Sequence, residues 1–382
     1  MDLRFVDGLE SVPAAAWNAL VPGGNPFVRH EFLLAQERHG CVGEHFGWIP
    51  RHLLAFDGDR LAGAVPLYAK DNSYGEFVFD WSWAGFWERH GRRYYPKLVA
   101  ASPYSPVTGP RLLVHPEAAR DEVAAVLAGA LVEECRRGGF SGVHVLFPPR
   151  EENEALEGAG WLRRLGCQFH WFNRGWRDFD EMLADFTARR RKNIRRERRR
   201  VREAGVEFRV LESPGITAED WHGFHHFYAA TFHRKGGVPT LTPGFFEEIN
   251  RTLPGGVVLI QALRAGRVIA AALCLRDGRA LYGRHWGASE FIDGLHFETC
   301  YYQGLDYCLR HGLARFEPGA QGEHKVMRGF EPVATYSAHW LADAHLRPAV
   351  AEFTAREARA VADYMDALRA DLPWRRTEPA AP

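Results

Sequence analysis

The chain has 382 residues, of which 46% are hydrophobic and 25% charged, with 48 Lys and Arg balancing 48 Asp and Glu. That length predicts two domains, the composition excludes intrinsic disorder, and the balanced charge excludes a globally cationic nucleic-acid binder while leaving local patches open. Met1–Phe5 does not begin a secretory signal, no apolar run approaches the roughly 20 residues of a membrane span, and the six Cys lack disulfide or zinc spacing, so a cytoplasmic protein without a transmembrane segment is expected.

The first elements are strands. Arg51–Phe56 and Leu61–Tyr68 flank Asp57-Gly58-Asp59, a hairpin signal. A stretch of about Gly85–Pro116 then intervenes. Glu117–Arg137 reads as a helix stopped by Gly138-Gly139, followed by strands Gly142–Phe147 and Cys167–Asn173.

Next comes Arg189–Arg202, in which ten of fourteen residues are basic and one is acidic. Such a helix repels itself unless anions lie beside it. It is either a phosphate-binding surface, for RNA, a nucleotide or a phospholipid, or a solvated linker helix whose basic face docks on an acidic flank of a neighbouring lobe. His222, His225, His226 and His233 follow on one helical segment. The spacing of the first three suits either a metal-binding pair or an ordinary helix surface.

The strand pattern then returns. Val257–Leu263, Val268–Leu275 and Ala280–Trp286 are linked by Ala265-Gly266 and Asp277-Gly278 turns. Asp293–His311 reads as a helix with Phe297, Tyr301, Leu305 and Cys308 toward the core. Strands Leu313–Glu317 and Ala334–Leu341 and a helix over Pro348–Arg369 complete the chain. Each half is thus a strand meander, a helix and two closing strands, which predicts two copies of one mixed α/β (α+β) fold. The expected lobes are 1–175 and 205–345, joined by a basic helix over 176–204, with a helix and tail over 346–382.

P-loop, G-x-S-x-G, H-E-x-x-H and strand-to-helix G-x-G-x-x-G motifs are absent. The densest polar stretch is Phe316–Phe330, where Pro318 to Gly322 break regular structure before Glu323, His324, Lys325 and Arg328. If a helix starts there, backbone amides near Gly319–Gly322 hold an anion, with Lys325 and Arg328 adding charge-assisted bonds. Arg284, His285, Glu298 and Tyr302 are expected to converge from a strand end and the next helix. Glu298 is either a proton acceptor or the ion-pair partner of an arginine.

These residues, together with Phe79–Trp83, Tyr94–Lys97, Pro106–Arg111, Val143–Phe147, Gln168–Trp171, the basic arm, Leu281–Trp286 and Leu295–Gln303, resemble the FemAB-like proteins of the GNAT acetyltransferase superfamily. The resemblance covers most of the chain and implies two tandem GNAT-like lobes joined by a basic helical stretch. It also implies a lysine, here Lys325, near a site in a cleft between them. Fem enzymes move an aminoacyl group from charged tRNA to an amine of a peptidoglycan precursor. The chain has no room for the helical-hairpin insertion of some members and shows no glycine pattern for a pyrophosphate. The donor therefore stays open between acyl-CoA and aminoacyl-tRNA, as a co-substrate and not a tightly bound cofactor.

The expectation is an acyl- or aminoacyltransferase with Lys325, Glu298 and His285 as catalytic candidates. Arg284, Tyr302, Gln321, Glu323, His324 and Arg328 are the candidates for binding substrate or donor, and no metal site is expected. The acceptor would be a small amine or a peptidoglycan precursor. The competing reading is a non-catalytic protein that recognises a cell-wall fragment or RNA, with the basic arm holding tRNA or another polyanion.

Overall fold

The hairpins predicted from glycine-containing turns are present in the computed structural model, which describes residues 1–375. Strands Val257–Arg264 and Arg267–Arg276 pair antiparallel across Ala265 (φ 48°) and Gly266 (φ 74°). Contacts divide the chain into two units, each assembled from separate stretches. Unit one comprises Met1–Gly166, Thr240–Ile249 and Ala334–Ala362, and unit two comprises Cys167–Pro239, Asn250–Val333 and the chain from Asp363. The basic helix, Ala188–Glu203, therefore belongs to unit two.

In unit one, the predicted strand Leu61–Tyr68 is two strands, Arg60–Val65 and Leu67–Lys70. Pro66 separates them because it has no N–H for the ladder. Arg60–Val65 lies between His52–Asp57 and Leu113–Val114 in a small antiparallel sheet. Leu67–Lys70 pairs instead with Trp48–Pro50 and Lys97–Ala100. The intervening stretch Gly85–Pro116 supplies Lys97–Ala100, which runs parallel to Gly142–Leu146. The helix Arg120–Arg137 connects that parallel pair and closes a core of Leu53, Leu67, Leu98, Leu127, Leu131 and Val143. Each such buried leucine contributes about 1.5–3 kcal/mol. A Cβ on Gly63 would lie 2.7 Å from Val123, so the helix sits close to the sheet because that residue is glycine.

Unit two repeats the arrangement. Strands Val206–Glu212, Val257–Arg264, Arg267–Arg276 and Ala280–Ala288 pair antiparallel in order, and Arg315–Glu317 then runs parallel to Ala280–Ala288. The helix Ala218–Arg234 packs on Ala280–Ala288, where a Cβ on Gly287 would meet Phe227 O at 2.3 Å. The core gathers Trp171, Tyr301, Leu305, Phe316 and Phe330.

The closing strands depart from the expected layout. Trp171 and Phe172 pair with Phe316 and Arg315, so the strand expected to close the first half completes the sheet of unit two. Ser337–Leu341 pairs with Gly142–Leu146, so the strand expected to close the second half completes the sheet of unit one. Strand pairing is a long-range choice that local patterning does not encode. The helix-then-strand units are legible in the sequence; their parallel pairing and the exchange of edges are not.

None of the six cysteines is bridged, and burial pushes the Cys135 and Cys274 thiols up to about 12. They act as small apolar groups. Among the described residues no helix is long and apolar enough to cross a membrane.

Candidate functional site

In unit two the strands Ala280–Ala288 and Arg315–Glu317 run side by side only as far as the pair Tyr282↔Glu317. Pro318 then ends the shorter strand, while the longer one continues six residues beyond its last partner on that side. The carboxyl ends of parallel strands, where neighbours part, are the usual ligand sites of α/β sheets. A bulge marks the same place. Cys274 pairs with Gly283 and Leu273 with His285, which leaves Arg284 as the extra residue. Bulges of this kind re-aim side chains beside active sites. Gly283 leaves room for the departing chain, since a Cβ there would lie 3.2 Å from Pro318 Cα.

Glu317, at the last paired position, is buried at 3% exposure. Arg315 Nε lies 2.9 Å from Oε1 and His170 Nε2 lies 3.7 Å from Oε2, but neither carboxylate oxygen receives a hydrogen bond of proper geometry. Burial, opposed by Arg315, raises its pKa to about 7. Burial also holds the His170 imidazole neutral, at about 3, and lowers Arg284 to about 10, where it remains a cation at neutral pH. Gln168 Oε1 lies 3.3 Å from His170 Nε2. Glu317, His170 and Gln168 were not among the residues expected from sequence. The signal available was the alternation of Arg315 and Glu317 on one strand face, at the start of the polar stretch.

Lys325 lies on a six-residue 3₁₀ helix, Glu323–Arg328. The helix expected to start after Gly319–Gly322 is thus a short 3₁₀ segment beginning at Glu323. Gly319 (φ 103°) and Gly322 (φ 113°) take backbone angles that side chains resist, and the Gly319 carbonyl accepts a 2.6 Å hydrogen bond from Lys325 Nζ. Lys325 is 1% exposed, and burial lowers its pKa to about 8. His324 Nε2 lies 2.9 Å from the Tyr301 hydroxyl, among the rings of Phe297 and His296. Gln321 and Glu323 are exposed, and Glu323 accepts a 2.7 Å hydrogen bond from Tyr364.

The expected convergence of Arg284, His285, Glu298 and Tyr302 divides in two. Arg284 stays beside Glu317, whereas the His285 ring packs at 4.9 Å against Tyr228 of the helix Ala218–Arg234, its pKa lowered by burial to about 3. Glu298 and Tyr302 instead face the basic helix. The predicted continuous helix Asp293–His311 contains a π turn, Glu298–Tyr302, closed by the Gln303 N–H donating to Glu298 O. Glu298 accepts from Gln303 at 2.8 Å and from Arg198 Nε at 3.2 Å, while Arg198 also reaches Asp306 at 2.6 Å. Burial raises the Glu298 pKa and Arg198 pulls it back. Tyr302 donates to Glu197, and Arg328 pairs with Glu197 at 2.9 Å and lies 3.6 Å over the Phe297 ring.

These contacts split the basic helix into two faces. Its inner face buries Ile194 and Val201 and carries the pairs of Glu197 and Arg198. On the outer face Arg195 pairs with Asp180 and Arg200 with Asp293, whereas no carboxylate lies within ion-pair distance of the exposed Arg189, Lys192, Arg196 and Arg202 among the described residues. Of the two sequence alternatives, docking on acidic side chains describes the inner face, where Arg198 meets Glu298 and Asp306 of the same unit. Replacing Arg198 with Met would leave Glu298 and Asp306 without their cation and is expected to cost about 2–3 kcal/mol. Amide exchange across Ala188–Glu203 would quicken by roughly tenfold for each 1.4 kcal/mol lost locally. Unchanged exchange would show that the ion pairs do not hold the helix.

His222 and His226 are exposed, and no group of three or more His, Cys, Asp or Glu side chains among the described residues is placed to hold a metal.

The model of the FemAB-like family, described as peptidoglycan biosynthesis/recognition, matches residues 8–376. Among solved structures, FemX superposes with a TM-score of 0.56 at 12% identity, over 92% of this chain and 100% of its own. A conserved protein of unknown function from Bacteroides thetaiotaomicron gives 0.51 at 11% identity, over 89% and 100%. A tandem GNAT protein from the clavulanic acid biosynthesis pathway gives 0.45 at 14% identity, over 89% and 98%. At such identities the likeness to FemX is one of fold. None of the curated proteins compared with the chain matches it.

Proposed function

The chain belongs to the FemAB-like family, and from that premise we propose that it is an acyl- or aminoacyltransferase acting on an amine acceptor. The observation that carries this reading is Lys325, a desolvated cation fixed to the Gly319 carbonyl beside the place where two parallel strands part. An ammonium held out of water interacts strongly with the oxyanion of an attacked carbonyl or with a donor phosphate. The family description supports a peptidoglycan precursor as the acceptor, whose free amine attacks the donor carbonyl. The donor is an acyl-CoA thioester or an aminoacyl-tRNA ester, bound for one turnover and released. Incubating the protein with a UDP-linked muramyl pentapeptide and either acetyl-coenzyme A or alanyl-tRNA tests the reading by the mass added to the peptide. No mass gain with either donor overturns it.

The outer face of the basic helix favours a second reading, recognition of a polyanion without transfer. Replacing Arg189, Lys192, Arg196 and Arg202 with Gln removes four cations that have no carboxylate partner among the described residues. If this face binds tRNA, the logarithmic salt dependence of affinity should flatten by about 0.7–0.9 for each phosphate that is no longer neutralised. An unchanged slope, measured by fluorescence anisotropy, removes the helix from consideration.

A further inference from the structure

We infer that Glu317 is the base that takes the proton from the acceptor amine, an assignment that rests on the transfer reading above. A carboxylate this buried ordinarily accepts hydrogen bonds, because each oxygen left without one forfeits its hydration. Both oxygens of Glu317 lack one. The side chain nevertheless has a fixed position on a sheet strand, at the final parallel pair, next to the bulged Arg284. An incoming N–H donor would complete this shell. Glu298, the alternative carboxylate in the same unit, already accepts hydrogen bonds from Arg198 and Gln303.

The charged surroundings suit a base. Arg315 on the same strand and Arg284 on the neighbouring strand favour the carboxylate, and Asp277 opposes it. His170, on the other side, is neutral, and the Tyr282 phenol stays protonated because burial and Glu317 itself raise its pKa. Burial dominates this balance and places the carboxyl at about 7, so it is about half ionised at neutral pH. A base performs best when its pKa lies near the working pH.

In the step assigned to it, Glu317 accepts one proton from the acceptor ammonium. The freed amine lone pair forms the new C–N bond at the donor carbonyl. The C–S or C–O bond to the donor then breaks, and the thiolate or ribose oxygen leaves with the electron pair. The second amine proton passes to that leaving group or to water. Oxidation states do not change.

The test uses Glu317→Gln, an isosteric change, with Glu317→Asp as a second variant that keeps the carboxyl group. With the UDP-linked pentapeptide and whichever donor the wild type uses, Glu317→Gln should lower kcat by about 10²–10⁴-fold. It should also remove the acid limb of the kcat/KM profile, expected near pH 7. Glu317→Asp should retain an acid limb, displaced from the wild-type midpoint. Wild-type kcat and an intact acid limb in Glu317→Gln would overturn the role while leaving the transfer reading standing. Absence of transfer by the wild type overturns the transfer reading and the role together. Infrared difference titration, wild type minus Glu317→Gln, needs no substrate and should show a carboxyl titrating near pH 7. A midpoint in the usual carboxylate range would overturn the assignment by itself.

Discussion

Replacing Lys325 with Met is expected to lower kcat for acyl transfer by about 10²–10³-fold, the effect of removing one preorganised charge-stabilising donor. Methionine keeps much of the side-chain volume, so the apolar packing around it survives. Without the bond to Lys325, Gly319 O is left unpaired, at a cost of about 1–3 kcal/mol, which most folded chains tolerate. The pH profile separates a chemical from a structural role. Burial holds the Lys325 ammonium at about 8, so its charge is present below that pH and lost as pH rises through it. As the inferred base, Glu317 would act only when ionised, so that its contribution would be lost as pH falls through about 7. The wild type should therefore show a narrow bell with limbs near 7 and 8. Lys325→Met should remove the basic limb. A folded Lys325→Met variant with wild-type kcat and both limbs would show that the lysine only pins the loop.

The second large effect is expected in unit one, on stability. Lys97 is fully buried, and its ammonium lies 2.8 Å from Glu76 and 2.5 Å from Asp80. Tyr94 donates a further 2.5 Å hydrogen bond to the same Asp80 oxygen. Replacing Lys97 with Met strands two carboxylates in the interior and should cost about 3–5 kcal/mol. The midpoint of urea denaturation should fall accordingly. Adding Glu76→Gln and Asp80→Asn to Lys97→Met should recover a large part of the loss, because the penalty comes from uncompensated charge. A loss unaffected by neutralisation would point to packing instead. The pH dependence has a defined sign. Burial raises the Asp80 pKa, but Lys97 and His144 outweigh it and hold the group at about 2. Its contribution is present above the ordinary carboxylate range and is lost as pH falls through about 2. In Lys97→Met that acid-side loss should shrink.

Several features of this molecule were legible along the chain. Asp277-Gly278 and Ala265-Gly266 between apolar runs specified hairpins, and those hairpins formed. The spacing of Phe297, Tyr301, Leu305 and Cys308 specified the helix face that meets the core, and Tyr301, Leu305 and Cys308 are buried with Phe297 packed against them. The basic arm declared itself a helix under electrostatic strain, and the carboxylates of Glu298, Asp306 and Asp293 relieve part of it. The polar stretch Phe316–Phe330 drew attention to Lys325 because Gly, Pro and ionisable groups are crowded together there.

What escaped the sequence depends on partners far away along the chain. An arginine partner was one of the two expectations for Glu298, but nothing near it announces that the partner is Arg198, a hundred residues earlier. Nothing near Glu317 announces that burial will raise it to about 7 while its oxygens lack hydrogen bonds. The edge exchange, with Trp171 beside Phe316 and His339 beside His144, was equally hidden. A β-strand's pattern fixes which side chains share a face, but not which strand lies alongside. Local periodicity and turn chemistry determined the elements and the mixed α/β class. Long-range pairing and the resulting loss of water decided which cation each buried carboxylate meets, and left the oxygens of Glu317, beside Arg315, without a hydrogen bond.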